Sequence, residues 1–188
     1  REELKVKVKV EPHDCTEWNC SSKEEFLEKA AKVGTLTYDQ DQDVRALKQY
    51  VLFGIKGISA YAEHAFNLGY ESDEVFNFME ETLAMILTPR TLDEMLGWVN
   101  KTGEHGVKVM ALLDEANTST YGNPQITSVN IGVGKNPGIL VSGHDLKDLE
   151  QLLIQTQDMG IDIYTHSEML PSHGYPALKK YKHLVGNY

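Results

Sequence analysis

The chain has 188 residues, of which 41% are hydrophobic and 24% charged, a composition typical of a globular protein with a sizeable core. Its formal net charge of −10 at pH 7 argues against a nucleic-acid partner, because binding a polyanion requires a basic surface. The sequence has no apolar run of the roughly 20 residues that a membrane span needs and no apolar leader, so we expect a cytoplasmic protein without a membrane partner.

The first twenty residues give mixed signals. Residues 5–10 alternate Lys and Val like an edge strand, although the same residues could form the end of a helix. Cys15 and Cys20, with His13, form only a weak candidate zinc site, because structural zinc needs four ligands and usually closer cysteines. The favoured interpretation is two thiols in a reducing compartment.

Two helices are predicted next. The first begins at Ser22, where the sequence has a capping-box pattern, and Gly34 ends it. The second covers about residues 43–68. Gly54 and Gly57 lie inside this second helix, where glycine lowers helix stability, and they indicate close approach of another helix.

Two further helices complete a predicted helical bundle. Ser72 or Asp73 caps the third helix, and Pro89 ends that segment. Thr91 begins the fourth helix, which extends to about residue 119.

The glycines and histidines inside these helices bear on helix continuity and on metal binding. We predict an interruption of the fourth helix near Gly103 and Gly106. His64 and His105 lack a metal-binding partner four residues away on the same helix face, and the adjacent glutamates should point elsewhere. We therefore interpret both histidines as exposed or hydrogen-bonded side chains.

The pattern changes after the polar, turn-forming residues 117–124, which predict a linker between domains. Short apolar runs follow at 129–133, 138–141 and 161–164, with a helix at about 145–157 between the last two. Strand, helix and strand at this spacing predict a βαβ unit with parallel strands.

We therefore predict a mixed α and α/β fold in two domains. Residues 1–119 form a helical bundle domain of the three-helix type, truncated at its N-terminal end. Residues 120–188 form the first part of a parallel-sheet α/β domain, truncated at its C-terminal end. Three strands with one crossover leave a sheet edge open, so we expect the chain to be an internal piece of a longer polypeptide.

The strongest functional signal lies where two predicted strands end. Residues 138–145, GILVSGHD, place His144 just after one strand, and residues 161–171, IDIYTHSEMLP, place Glu168 just after the next. Ligands of open α/β sheets bind at the carboxyl ends of strands, and neighbouring strands lie about 5 Å apart, so both side chains could reach one metal ion. A histidine and a carboxylate with open positions form the ligand set of non-haem iron and catalytic zinc sites.

Other residues in this region are weaker candidates. His166 would share a face with Glu168 in an extended segment and could be a third ligand. His173 lies in a predicted turn and could be a proton donor or a packing residue. Gly132 and Gly134 are a weak nucleotide-binding signal, because the third glycine and the ribose-binding acid of the dinucleotide motif are not evident.

Four segments carry a family resemblance: GIKGISAYAEH at 54–64, ANTSTYGNP at 116–124, GILVSGHDL at 138–146 and YTHSEMLPSHGYP at 164–176. They resemble the hybrid cluster protein family, also called prismane proteins or hydroxylamine reductases. The resemblance implies a helical domain of two three-helix bundles, two Rossmann-like α/β domains, and a hybrid iron, sulfur and oxygen cluster held between the domains. It also implies that His144 and Glu168 are cofactor-binding iron ligands, the pair that the strand ends indicate.

The chain departs from the family in its cysteines. The family's N-terminal four-cysteine motif is not present, and Cys15 and Cys20 do not match it. The remaining cluster ligands of the family, four cysteines and a further glutamate, would follow Tyr188. Because thiolates hold iron–sulfur clusters, we expect this piece alone to bind no cluster and to be inactive.

The resemblance implies that the full-length parent reduces hydroxylamine to ammonia or acts on nitric oxide. Its partners would then be a small nitrogen-containing substrate and an electron donor protein. Two alternatives stay open. One is an enzyme similar to carbon monoxide dehydrogenases, which also place a histidine on a cluster, although the motif around Glu168 argues against it. The other is a non-catalytic interaction module, which an open sheet edge and an acidic surface would suit.

Overall fold

The computed structural model describes residues 14–34 and 39–188. The alternating residues 5–10, His13 and the side chain of Cys15 lie outside the described residues, so the predictions made for them are untested. By its internal contacts the chain divides into two compact units, Arg1–Arg45 and Ala46–Tyr188.

The described part of the first unit contains two short helices, α1 (Asp14–Glu17) and α2 (Lys23–Val33). Ser22 caps α2 as predicted, since its hydroxyl accepts a hydrogen bond from the Glu25 amide at 3.1 Å. The Glu25 carboxylate accepts a hydrogen bond from the Ser21 amide at 2.9 Å. One orphan amide of the helix, that of Glu25, and the Ser21 amide just before the cap are thereby satisfied. The helix ends directly before Gly34, as the sequence predicts.

Three long helices follow, α3 (Gln42–Asn67), α4 (Asp73–Ile86) and α5 (Leu92–Tyr121). The predicted caps are confirmed: Ser72 precedes α4, and Thr91 forms a complete capping box with Glu94 at the start of α5. Side chains of all three helices meet in one buried core, so the predicted three-helix packing is confirmed. The buried members of this core are Ile55, Ile58, Ala62, Val75, Phe78 and Val109.

The glycines of α3 and α5 follow the prediction only in part. Helix α5 is continuous, so the break predicted near Gly103 and Gly106 is wrong; packing of buried neighbours such as Thr102 outweighs the low helix propensity of glycine. Close approach is confirmed at Gly54, where an added Cβ would lie 2.4 Å from Thr102 Cγ2. At Gly57 an added Cβ would meet nothing within 4 Å, so the same expectation is wrong there.

The last part of the chain forms a parallel sheet in the order β1-β2-β3, with strands Gly138–Val141, Asp162–Thr165 and Leu184–Asn187. Helix α6 (Leu146–Thr156) connects β1 to β2, which confirms the predicted βαβ unit and the mixed α and α/β fold class. All four residues of the central strand β2 are buried. Val141 pairs with Thr165, so β1 and β2 reach the same edge of the sheet together.

The predicted strand at 129–133 is wrong. The Asn130 side chain accepts a hydrogen bond from the Gly132 amide at 3.1 Å and donates one to the Gly132 carbonyl at 3.0 Å. Such local side-chain bonds compete with a strand ladder. The third strand is β3, which the sequence analysis did not predict, and the Asn187 amide donates to the Asn130 carbonyl at 2.8 Å.

A second buried core lies around the sheet, α6 and the end of α5. Its members are Tyr121, Leu146, Leu149, Leu153, Ile163, Met169, Leu178 and Tyr181. The domain boundary between residues 119 and 120 stays a prediction. Within 14–34 and 39–188, the helices lack the combination of length and apolar character needed to cross a bilayer.

Candidate functional site

His144 is held in a short connection between β1 and α6. Gly143 precedes it with φ +131°, a conformation that side chains rarely adopt and glycine tolerates. Asp145 follows it and caps α6, because its Oδ1 atom accepts hydrogen bonds from the amides of Lys147 at 2.7 Å and Asp148 at 3.2 Å. His144 therefore sits at the carboxyl edge of the sheet, with its backbone fixed at the start of a helix.

Glu168 follows β2 in a tight turn. The chain leaves the strand at Ser167, whose φ of +51° is uncommon for a residue other than glycine. A 3₁₀ helix, Ser167–Gly174, begins there and carries Glu168 in its first turn. The segment is therefore not extended, and the premise that placed His166 on the same face as Glu168 is wrong.

His144 and Glu168 are in direct contact. The Nε2 atom of His144 and the Oε2 atom of Glu168 form a hydrogen-bonded pair, with side chains that are 46% and 68% exposed. The structure thus brings together the two residues that the strand ends indicate. Their role as metal ligands remains a prediction.

The other two histidines proposed for this region lie elsewhere. His166 is exposed and does not line the cavity that borders Glu168. His173 is only 8% exposed, and its Nε2 atom is 2.8 Å from the Thr165 hydroxyl oxygen. Burial lowers the pKa of His173, and a hydrogen bond with the backbone of Gly186 opposes this only in part. His173 therefore acts as a packing residue that holds the 3₁₀ helix against the sheet.

His144 lies between two cavities. The first, of about 230 Å³, is bordered by both His144 and Glu168. The second, of about 890 Å³, runs along α3 and α5 and reaches His144 beside His64. Tyr61 lines both cavities. The remaining residues around the first cavity are Met110, Leu113, Asp114, Asn117, Leu146, Met169, Pro171, Ser172 and Tyr175.

Helix α3 contributes to the site in a way that the sequence pattern did not indicate. Tyr61 packs against His144 with ring centroids 6.2 Å apart. His64 places its Nδ1 atom 3.1 Å from Asp145 Oδ2 and 3.2 Å from Glu63 Oε2, so the expectation that Glu63 points elsewhere is wrong. Helical spacing reports only neighbours within one helix, whereas Asp145 comes from a distant part of the chain. His105, by contrast, is hydrogen-bonded within its own helix, as interpreted.

Two weaker sequence signals gain no support. Gly132 and Gly134 precede strand β1, whereas a dinucleotide-binding loop follows a strand and opens a helix. Cys20 is an exposed free thiol, and the other members of the weak zinc candidate lie outside the described residues.

Known proteins of similar sequence indicate the family of this chain. The sequence pattern of the Prismane/CO dehydrogenase family matches residues 1–188. A hydroxylamine reductase from Bacteroides fragilis is 58% identical over 191 residues, covering 100% of the chain and 35% of the relative. Hydroxylamine reductases from Acetivibrio thermocellus and Clostridium perfringens are 55% and 52% identical, with 100% of the chain and 35% and 36% of the relatives covered. The chain thus spans about a third of the length of these relatives.

Proposed function

The chain belongs to the Prismane/CO dehydrogenase family, and on this basis we propose that the full-length protein is an oxidoreductase that reduces hydroxylamine to ammonia. Nitric oxide is the alternative substrate. Relatives that carry the name hydroxylamine reductase match the whole chain at 52% to 58% identity, which supports the proposal. The observation that carries it is the contact of His144 with Glu168 at the carboxyl edge of a parallel sheet.

We further propose that His144 and Glu168 hold iron in a hybrid iron–sulfur–oxygen cluster. An imidazole nitrogen and a carboxylate oxygen are harder donors than thiolate, and they leave other positions on the iron open. The two groups meet beside a cavity of about 230 Å³, so the donor set and the space both fit. Among the described residues, those lining this cavity include no cysteine, so we propose that the required thiolates come from the rest of the full-length protein.

When bound, the cluster would supply electrons and a Lewis-acidic iron to the substrate. The chain's own residues orient that centre. The Asp145 cap holds the backbone that follows His144 at the start of α6, and Leu113 and Met169 give the cavity an apolar wall.

Hydroxylamine reduction consumes two electrons and two protons and releases water with ammonia, so an electron donor protein is the second proposed partner. We propose the cytoplasm as the compartment, because its reducing conditions keep thiolate ligands available. A nucleic-acid partner is disfavoured by the net charge of −10.

The two alternatives are less well supported. The matched family also includes CO dehydrogenases by its description, but the relatives reported above are hydroxylamine reductases and Glu168 lies against His144. A non-catalytic interaction module does not require an imidazole and a carboxylate in contact beside a cavity, whereas a metal site does.

The test uses the full-length protein purified without oxygen, with His144→Ala and Glu168→Gln as the changes. We expect each change to lower iron content and to reduce hydroxylamine turnover by about 10- to 100-fold, because each removes one ligand. His166→Ala is the matched control, since His166 is a nearby exposed histidine outside the cavity, and it should keep wild-type iron and activity within about twofold. Full iron and full turnover in His144→Ala would refute the proposal.

A further inference from the structure

Helix α3 contacts the His144 connection at three places. His64 Nδ1 lies 3.1 Å from Asp145 Oδ2. The Tyr61 ring packs against the His144 ring with centroids 6.2 Å apart. The Lys147 ammonium donates a hydrogen bond to the Asn67 carbonyl at 2.9 Å. Together these contacts tie the last turns of α3 to His144 and to the residues that follow it, Asp145 and Lys147.

Asp145 is the residue through which such a contact can act on His144. Its Oδ1 atom is already used, because it accepts hydrogen bonds from the amides of Lys147 and Asp148 and so caps α6. Its Oδ2 atom is therefore the one left to face His64. The carboxylate is held from both sides, and its side chain is only 12% exposed, so water does not readily replace His64.

His144 needs an external restraint because Gly143 lies directly before it. Glycine at φ +131° has little intrinsic preference for one backbone conformation, so the strand alone does not fix where the next residue goes. The contact with His64 restrains Asp145, so the backbone of His144 is held between strand β1 on one side and Asp145 on the other. Metal ligands in general depend on such outer contacts for their orientation.

The second carboxylate near His64 plays a different part. Glu63 Oε2 is 3.2 Å from the same Nδ1 atom, but the Glu63 side chain is 61% exposed. Nδ1 is buried and nearly equidistant from the two carboxylates, so it is shared between them and aligned for a full hydrogen bond with neither. Of the two contacts, the one to the half-buried Asp145 is less screened by solvent than the one to the exposed Glu63.

We propose that His64 is a positioning residue that fixes His144 for iron binding by restraining Asp145. This inference rests on the proposed function, in which His144 is an iron ligand. It assigns a role to a helix-borne histidine that touches neither substrate nor iron. It predicts that what matters at position 64 is a polar nitrogen in the place of Nδ1.

The test compares two uncharged replacements in the full-length protein. In His64→Asn the amide nitrogen lies at about the position of Nδ1, whereas in His64→Gln it lies one bond further out. We expect His64→Gln to release iron to a chelator about tenfold faster than wild type and to change the electron paramagnetic resonance spectrum of the cluster. His64→Asn should retain the wild-type release rate and spectrum.

Two further variants distinguish failure of the inference about His64 from failure of the proposed function. Glu63→Gln removes the exposed carboxylate, and it should behave like wild type. The proposal is overturned if the Asn and Gln replacements at position 64 behave alike, or if Glu63→Gln has the same effect as His64→Gln. If His144→Ala itself changes neither iron release nor the spectrum, the proposed function fails instead. Thermal unfolding of each variant verifies that the differences do not come from loss of the fold.

Discussion

Burial decides between the two roles that the sequence left open for His173. From the sequence alone, His173 could be a proton donor or a packing residue. In the structure it is 8% exposed and is bonded to Thr165, which in turn donates to Asn187 Oδ1 at 3.0 Å. One buried histidine therefore joins the 3₁₀ helix that carries Glu168 to both β2 and β3.

The burial of His173 predicts a pH dependence of stability. Desolvation lowers its pKa in the folded chain from the ordinary value of 6.5, and the Gly186 hydrogen bond opposes this only in part. As the pH falls below 6.5, the unfolded chain binds a proton that the folded chain does not, so the free energy of unfolding decreases. Above pH 6.5, protonation of His173 does not lower the free energy of unfolding. Below pH 6.5, the free energy of unfolding falls by at most about 1.4 kcal/mol per pH unit until the pH reaches the pKa of His173 in the folded chain. Urea unfolding of the chain between pH 7.5 and pH 5 measures it.

The comparison variant is His173→Gln, which cannot gain a proton in this range. It should be less stable at pH 7.5, because a buried hydrogen bond is disturbed, and its stability should fall less steeply on acidification. Identical slopes in the two proteins would show that His173 does not carry the effect.

At the scale of elements, the two glycines of α3 respond to different surroundings. Gly54 faces Thr102 on α5, with an added Cβ only 2.4 Å from Thr102 Cγ2, whereas Gly57 faces open space. Moving Thr102 away would cost free energy, because its hydroxyl donates a hydrogen bond to the Trp98 carbonyl at 2.8 Å and the residue is only 6% exposed. The same residue type thus permits helix contact at one position and only lowers helix stability at the other.

We therefore expect opposite effects from two alanine replacements. Gly54→Ala should lower the free energy of unfolding by about 1 to 3 kcal/mol through overpacking. Gly57→Ala should raise it by about 0.5 to 1 kcal/mol, because alanine has less conformational freedom to lose. Thermal and urea unfolding of both variants compares them directly.

A second change tests the cause assigned to Gly54. Thr102→Ser removes the methyl group in the way and keeps the hydroxyl, so it should restore part of the stability that Gly54→Ala loses. Strictly additive effects of the two changes would contradict a direct clash between these residues.

Elements with local signals were predictable, and those without were not. Ser22, Ser72 and Thr91 cap helices as predicted because the capping bonds form within four residues. Strand β3 was missed because its four residues, Leu184–Asn187, are specified by pairing with β2 rather than by their own pattern. The strand predicted at 129–133 is wrong because the Asn130 side chain forms local hydrogen bonds with both backbone groups of Gly132. The Asn130 carbonyl also accepts from the Asn187 amide of β3, but this bond alone does not make a strand ladder.

At the scale of the whole molecule, the proposed cluster needs more ligands than this chain supplies. The chain spans about a third of the length of its hydroxylamine reductase relatives, and among the described residues no cysteine lines the cavity that borders His144 and Glu168. We expect this chain, incubated without oxygen with iron and sulfide, to hold no stoichiometric iron and to show no charge-transfer absorption, because thiolates are the main ligands of such clusters. The full-length protein under the same treatment is the control. Stoichiometric iron with visible absorption in the short chain would contradict the expectation.

The sequence by itself determined the helix starts, the βαβ unit and the pairing of His144 with Glu168. Each of these depends on local bonding or on the fixed spacing of adjacent parallel strands. Only the tertiary structure decided that His166 lies apart from the cavity, that α5 continues through its glycines, and that His64 meets Asp145. These depend on a left-handed turn at Ser167, on side-chain packing, and on contact between residues far apart in the chain, none of which sequence periodicity records.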